Sequence, residues 1–408
     1  MERENLKIVF VGHIDHGKSS LIGRLLYDTK SLPQEKIEDM KYDAKKLGKE
    51  LEFAFIMDHL KEEREKGITI DTAQTFFKTD KRDYVIIDAP GHKEFIKNMI
   101  TGASQAEAAI LIVDANEGVQ DQSKRHAYIL NLLGIDQIIV AINKMDTVEY
   151  NEERFNQVKT NIIEFLKSID VNADYVIPIS ASKGDNIVNL SEKMPWYNDI
   201  TIVKALDNFK PMTRMINQPL RLPVQDVYEF DGEKIVVGRI ESGKIKSGET
   251  ISVLPSKNKI KINSIKSGFN TVEEAEVGES IGITLDADGI KRGDIISDEN
   301  RIPKNVDSID AKLLWLSPKT VKVGENLLFR CTTQEVNCKI EKIYKSIDCS
   351  SLKIIQEDAQ ELNEHEIGEI KLKLDSEVFI DDFNELREFG RFVIERENNI
   401  AGGGIITE

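Results

Sequence analysis

The first half of the chain alternates between short apolar runs and amphipathic stretches. Residues 6–11 (LKIVFV) read as a buried strand, and apolar runs at 84–87, 109–113, 137–142 and 175–179 read the same way. Apolar positions at helical spacing fill 93–101, 122–133 and 152–166 between several of them. Strands alternating with helices predict a doubly wound, mostly parallel α/β sheet. The pattern stops near Asn208.

From Pro219 the texture changes to short β-branched runs separated by glycine turns, as at 234–239, 249–253 and 259–265. That spacing predicts a small antiparallel barrel. A second strand-rich block covers 311–406, and the stretch 297–307 with Pro303 marks the division. The expected domains are 1–208, 209–302 and 303–408.

Composition narrows the class. The 408 residues are 40% hydrophobic and 31% charged, an ordinary globular balance. No apolar run reaches the roughly 20 residues that span a bilayer. The charged start MERENLK lacks the apolar core of a signal peptide. Three scattered cysteines make no disulfide framework. The expectation is a cytoplasmic protein with reduced thiols and no membrane contact. A net charge of −16, with no basic segment, argues against nucleic acid as a partner.

Chemistry is concentrated at the ends of the predicted strands. Residues 12–19 (GHIDHGKS) fit G-x-x-x-x-G-K-[ST], between the first strand and a helical pattern at 21–27. Glycines there let backbone N–H groups wrap phosphate oxygens, and the helix N-terminus adds a favourable dipole. Expected nucleotide contacts are Gly12, His13, Asp15, His16, Gly17, Lys18, Ser19 and Ser20. Lys18 is set against the β- and γ-phosphates and the Ser19 hydroxyl against Mg²⁺. Residues 88–92 (DAPGH) follow the second apolar run. Asp88 is placed to hold Mg²⁺ through water, the Gly91 N–H to meet the γ-phosphate, and His92 to orient the attacking water.

Residues 143–146 (NKMD) and 180–182 (SAS) each end a further strand. The Asp146 carboxylate can accept from N1–H and the 2-amino group of guanine. Adenine has neither donor, so a buried carboxylate left unpaired penalises ATP. Asn143 ties this loop to the phosphate loop, the Lys144 stem lies on the base, and Ser180 and Ala181 offer a backbone N–H to guanine O6. Thr69, in GITI at 67–70, can reach both Mg²⁺ and the γ-phosphate. Together these segments predict a guanine-specific GTPase using GTP/GDP and Mg²⁺, with Lys18, Thr69 and His92 catalytic and Ser19, Thr69 and Asp88 at the metal.

The segments GHIDHGKS, GITI, DAPGH and NKMD, with the run FIKNMITGAS at 95–104, resemble the translation-factor superfamily of GTPases. The resemblance covers the chain, implies a G domain followed by two β-barrels, and places Asp15 where the family has an aspartate that arranges the phosphate site. Two branches fit the long interval between Lys18 and Thr69: the elongation factor 1-alpha family, which delivers aminoacyl-tRNA, and the large GTPase subunit of sulfate adenylyltransferase. The stretches 23–30, 63–74, 361–368 and 401–406 resemble the sulfate branch, whereas His13 and His16 are closer to the translation factors. The resulting expectation is a GTPase subunit that drives adenylylsulfate formation by a separate catalytic subunit, with aminoacyl-tRNA delivery as the alternative.

Overall fold

The computed structural model describes residues 5–13, 15–32, 38, 53, 74–87, 106–210, 215–230, 232–268 and 270–407. These fall into two compact units that divide between residues 211 and 212.

The first unit is built on a six-stranded sheet. Its strands are β1 (Asn5–Gly12), β2 (Gln74–Lys78), β3 (Asp83–Ile87), β4 (Ala108–Asp114), β5 (Ile138–Asn143) and β6 (Tyr175–Pro178), in the spatial order β2-β3-β1-β4-β5-β6. Every pairing is parallel except β2 with β3. β4 and β5 are buried along their whole length, because helices cover both faces of a central parallel strand. Among the described residues the helices are α1 (Lys18–Asp28), α2 (Asp121–Leu133), α3 (Glu152–Ser168) and α4 (Ile202–Asn208). α3 opens on a side-chain cap, with Asn151 accepting from the Arg154 N–H at 2.7 Å.

The five apolar runs of the sequence are thus strands, within a residue or two of the expected bounds. The antiparallel β2 was not expected. It is an edge strand whose alternation is only five residues long, with Phe76 52% exposed and Phe77 buried and stacked on Tyr84 at 4.6 Å. The helix expected at 93–101 lies outside the described residues.

The second unit holds two closed six-stranded antiparallel barrels. In ring order, the first joins Arg221–Phe230, Glu233–Arg239, Ser280–Leu285, Asn258–Ser267, Thr250–Leu254 and Ile295–Asp298. The second joins Lys304–Trp315, Glu366–Ile380, Gln334–Asp348, Asn326–Cys331, Arg391–Arg396 and Asn399–Ile406. Each encloses its own hydrophobic core, aliphatic in the first barrel and including Trp315, Phe329 and Phe392 in the second. Between the barrels lie Leu254, Ile295, Phe379, Leu386 and Phe389, with Met215 against them. Beside this cluster Arg221 grips Asp381 through two hydrogen bonds, Nε to Oδ2 at 2.7 Å and Nη2 to Oδ1 at 3.0 Å. All three cysteines are buried, and desolvation pushes the Cys331 and Cys338 thiols up to about 12. Among the described residues no helix is long and apolar enough to cross a membrane.

Candidate functional site

The sheet brings three loops to the C-terminal ends of its parallel strands, where open α/β sheets bind ligands. The first leaves β1. Gly12 lies beside Ile112 on β4, and a Cβ there would meet the Ile112 carbonyl oxygen at 2.7 Å. Asp15 and Gly17 both adopt positive φ, 66° and 91°, which turns the chain back into α1. α1 starts on Gly17 with no side-chain cap and no acidic residue in its first turn. Its N-terminal N–H groups therefore face an uncompensated positive dipole end, suited to an anion. Lys18, Ser19 and Ser20 sit half-buried on that first turn. These features fit a phosphate chain: glycines where side chains would intrude, an uncapped helix end and an adjacent cation.

His16 is fully buried. Its Nδ1 is 3.3 Å from the Ile112 carbonyl and its Nε2 is 3.3 Å from Glu117 Oε2. The ring is thus held by β4 and the loop after it, and the His13 ring lies 5.0 Å away. The His16 backbone carbonyl serves a different purpose, accepting from Asn143 Nδ2 at 2.8 Å.

Asn143 ends β5 and is 2% exposed. While its Nδ2 donates to the phosphate loop, its Oδ1 accepts the Ala181 N–H at 2.9 Å. One buried amide therefore fixes the phosphate loop and the loop after β6 against each other. It also occupies the Ala181 N–H that the sequence reading assigned to guanine O6. Lys144 follows at φ 63°, and its Nζ pairs with Asp114 Oδ2 at 2.7 Å. Asp146 lies on the 3-10 turn Met145–Val148; its Oδ1 accepts from the Ser180 hydroxyl at 2.6 Å, and the Ser182 hydroxyl is 3.5 Å from Oδ2. The carboxylate is half-buried and oriented before any base arrives.

The structure thus gathers Gly12, His13, Asp15, His16, Gly17, Lys18, Ser19 and Ser20 in one loop and helix end, tied to Asn143, Lys144, Asp146, Ser180 and Ala181. Thr69, Asp88, Gly91 and His92 lie outside the described residues. Sequence reasoning missed Asp114, whose buried carboxylate holds Lys144 and accepts the Asn116 N–H at 2.7 Å. It also missed Glu117, and it named Ser182 only as part of the 180–182 motif, without its hydroxyl's place beside Asp146. A carboxylate at the end of the fully apolar run of β4 was the signal for Asp114.

Three family models match the chain. Residues 3–212 match the elongation factor Tu GTP binding domain, 233–297 elongation factor Tu domain 2, and 308–407 the GTP-eEF1A C-terminal domain-like family. Among curated proteins, elongation factor 1-alpha of Methanopyrus kandleri is 41% identical, over 100% of this chain and 98% of that protein. The elongation factors 1-alpha of Archaeoglobus fulgidus and Pyrococcus furiosus are 39% and 41% identical over the same shares. A solved structure of sup35 complexed with GDP aligns with 100% of this chain and 94% of that one at 21% identity, with a TM-score of 0.47.

These relatives overturn the expectation of a sulfate adenylyltransferase subunit and, with it, the catalytic partner subunit. They equally overturn the argument that nucleic acid is an improbable partner. Two of the stretches that favoured the sulfate branch, 361–368 and 401–406, carry glycines that packing demands, and 63–73 lies outside the described residues. In the strand Asn399–Ile406, a Cβ on Gly402 would meet the Leu314 carbonyl at 2.7 Å, and one on Gly404 the Lys312 carbonyl at 2.4 Å. Gly368 stands against Leu362, where a Cβ would come within 2.6 Å of its side chain. Such glycines report how tightly a barrel closes, whatever its partner. The charge argument failed because net charge sums a whole surface, whereas charges more than about 8 Å apart barely sense one another at physiological salt. What remains is the likeness itself, which covers the sheet with its loops and both barrels: the chain belongs to the elongation factor Tu and 1-alpha family of translation GTPases, which bind GTP and GDP with Mg²⁺.

Proposed function

We propose that the protein is an elongation factor 1-alpha-like GTPase that carries aminoacyl-tRNA to the ribosome in its GTP form and works in the cytoplasm. The observation that supports this best is the extent of the likeness, which runs through the nucleotide-binding half and both barrels. On this reading residues 1–208, 209–302 and 303–408 act as three domains, the first as the switch and the barrels as the surface it controls.

In the switch, the N–H groups of 12–19 wrap the phosphates, and Lys18 neutralises the β- and γ-phosphates. Ser19, Thr69 and Asp88 would hold Mg²⁺, which would offset charge developing on the phosphate oxygens. Gly91 donates to the γ-phosphate and His92 orients the attacking water. Asp146 reads the guanine N1–H and 2-amino group, with the Lys144 stem on the base. Hydrolysis by the isolated protein is slow, and docking on the ribosome accelerates it by completing the site, an effect worth roughly 10³–10⁵ in other GTPases.

The test is protection of the ester bond of charged tRNA against spontaneous deacylation. The GTP-loaded protein is expected to protect it and the GDP-loaded protein to protect it far less. Equal protection by both forms, or none by either, overturns the proposal. In the same assay system His92→Ala is expected to keep GTP binding but slow ribosome-stimulated hydrolysis, and a normal rate would remove its role.

A further inference from the structure

The residues assigned to the nucleotide leave one cation of α1 without a task. Arg24 reaches from α1 to the loop that follows β6, where its Nη1 donates to the Ser182 carbonyl at 3.4 Å. Its Nε donates to Asp28 Oδ2 at 2.8 Å, one helical turn along, and the two side chains are only 19% and 16% exposed. The guanidinium carbon stands 4.8 Å from the centroid of the Phe53 ring. Phe53 is buried, and its ring meets Tyr27 edge-on at 5.3 Å.

Two glycines make room for this assembly. Gly184, at φ 81°, lies so near the guanidinium that a Cβ would meet Arg24 Nη2 at 2.2 Å. Gly23 leaves space for the Phe53 carbonyl, which a Cβ would meet at 2.0 Å. The loop from Ser180 to Asp185 is therefore shaped around Arg24, and α1 around Phe53. Ser182, which Arg24 holds, follows Ala181 directly and turns its hydroxyl towards Asp146.

We propose that Arg24 is a positioning residue for guanine recognition, a strut from the helix that carries Lys18 and Ser19 to the loop that carries Ser180, Ala181 and Ser182. This rests on the reading of that loop and Asp146 as the base site. Phe53 holds the strut through its ring, so the loop at 180–185 and Phe53 share one guanidinium. An arginine suits the place because its planar fork serves two acceptors and an aromatic face at once, which a lysine cannot do.

The experiment uses the full-length protein and measures release of a fluorescent GDP, together with competition by GDP, ADP and inorganic tripolyphosphate. Arg24→Ala is expected to speed GDP release about tenfold, the scale of a lost charge-assisted hydrogen bond. Its affinity for tripolyphosphate, which has no base, is expected to stay unchanged. Arg24→Lys recovers less than half of the loss. Phe53→Leu, which keeps apolar volume but removes the ring, shifts release in the same direction and adds nothing in the Arg24→Ala background. Unchanged GDP release in Arg24→Ala overturns the proposal, as does an equal loss for GDP and tripolyphosphate, which would make Arg24 a prop of the phosphate loop. A wild-type protein that does not prefer GDP to ADP overturns the base-site reading and this proposal with it. Guanine preference in the wild type with an unaffected Arg24→Ala variant overturns this proposal alone.

Discussion

The Asn143 amide stands where a side chain on Gly17 would begin: a Cβ at Gly17 would meet Asn143 Nδ2 at 2.3 Å. The two residues belong to loops that leave β1 and β5, and their closeness is what lets Nδ2 reach the His16 carbonyl at 2.8 Å. Gly17 thus satisfies two demands at once, a positive φ of 91° and an absent side chain.

Gly17→Ala is expected to lower GDP affinity by at least tenfold. An alanine in the left-handed region costs about 1–2 kcal/mol, and it must also displace the amide. Isothermal titration checks this, with the circular dichroism of the variant expected to match the wild type.

Asn143→Ala leaves the His16 carbonyl and the Ala181 N–H without the partner they now have. Each buried group so stranded costs about 1–3 kcal/mol. Nucleotide release is expected to accelerate ten- to a hundredfold and the melting temperature of the nucleotide-binding half to fall. Stopped-flow release of a fluorescent GDP reads the first effect and thermal unfolding the second.

Asp146→Asn exchanges an acceptor for a donor opposite the 2-position of the base. Preference is expected to pass from GTP to xanthosine triphosphate, which carries an oxygen there. Competition binding with both nucleotides measures it, and retained guanine preference would remove Asp146 from base recognition. Ser180 can follow the change, since its hydroxyl can accept from the new amide as readily as it now donates to Oδ1.

Arg221→Ala should cost more than most single changes in the barrels. The side chains of Arg221 and Asp381 are 5% and 14% exposed, and removing one partner of such a pair costs about 3–5 kcal/mol because the other charge stays buried. Denaturant unfolding is expected to show this loss for Arg221→Ala. The double variant Arg221→Ala with Asp381→Ala should recover part of it, since no lone charge is left.

A pH dependence is expected from Glu241. Burial first, and Glu388 second, push its carboxyl up to about 7 from an ordinary 4.5, against the pull of Arg239 and Arg391. Between those values the folded chain binds a proton that the unfolded chain releases. This group's contribution to stability therefore grows as pH falls from above 7 towards 4.5, and shrinks as pH rises through 7. Glu241→Gln should flatten that part of the stability profile and raise the melting temperature at pH 8. A variant whose profile parallels the wild type across pH 5–8 would contradict this.

The described loops of the candidate site were legible because each is a short motif at the end of an apolar run. Glycine, lysine, asparagine and aspartate there are fixed by what a phosphate or a base requires. The contacts that hold the loops together were less legible. Arg24 with Ser182, Lys144 with Asp114 and His16 with Glu117 join residues far apart in the chain, and nothing local distinguishes them from surface charges. The branch was misread for a related reason. The 401–406 glycines answer to backbones that approach within van der Waals distance, a demand that any closely wound barrel makes.

The pairing of β2 with β3 has a consequence for where this chain can lengthen. Their last matched residues are Gln74 and Ile87. Asp88 follows Ile87 directly, and Thr69 precedes Gln74 by five positions, a tether of at most about 18 Å. The hairpin therefore acts as a ruler that sets Gln74 beside Ile87 at one end of the sheet. Residues can be added between α1 and Thr69 without changing that measure. A single residue added within Gln74–Lys78 would shift the register by one, turn Phe77 outward, and break the ruler itself.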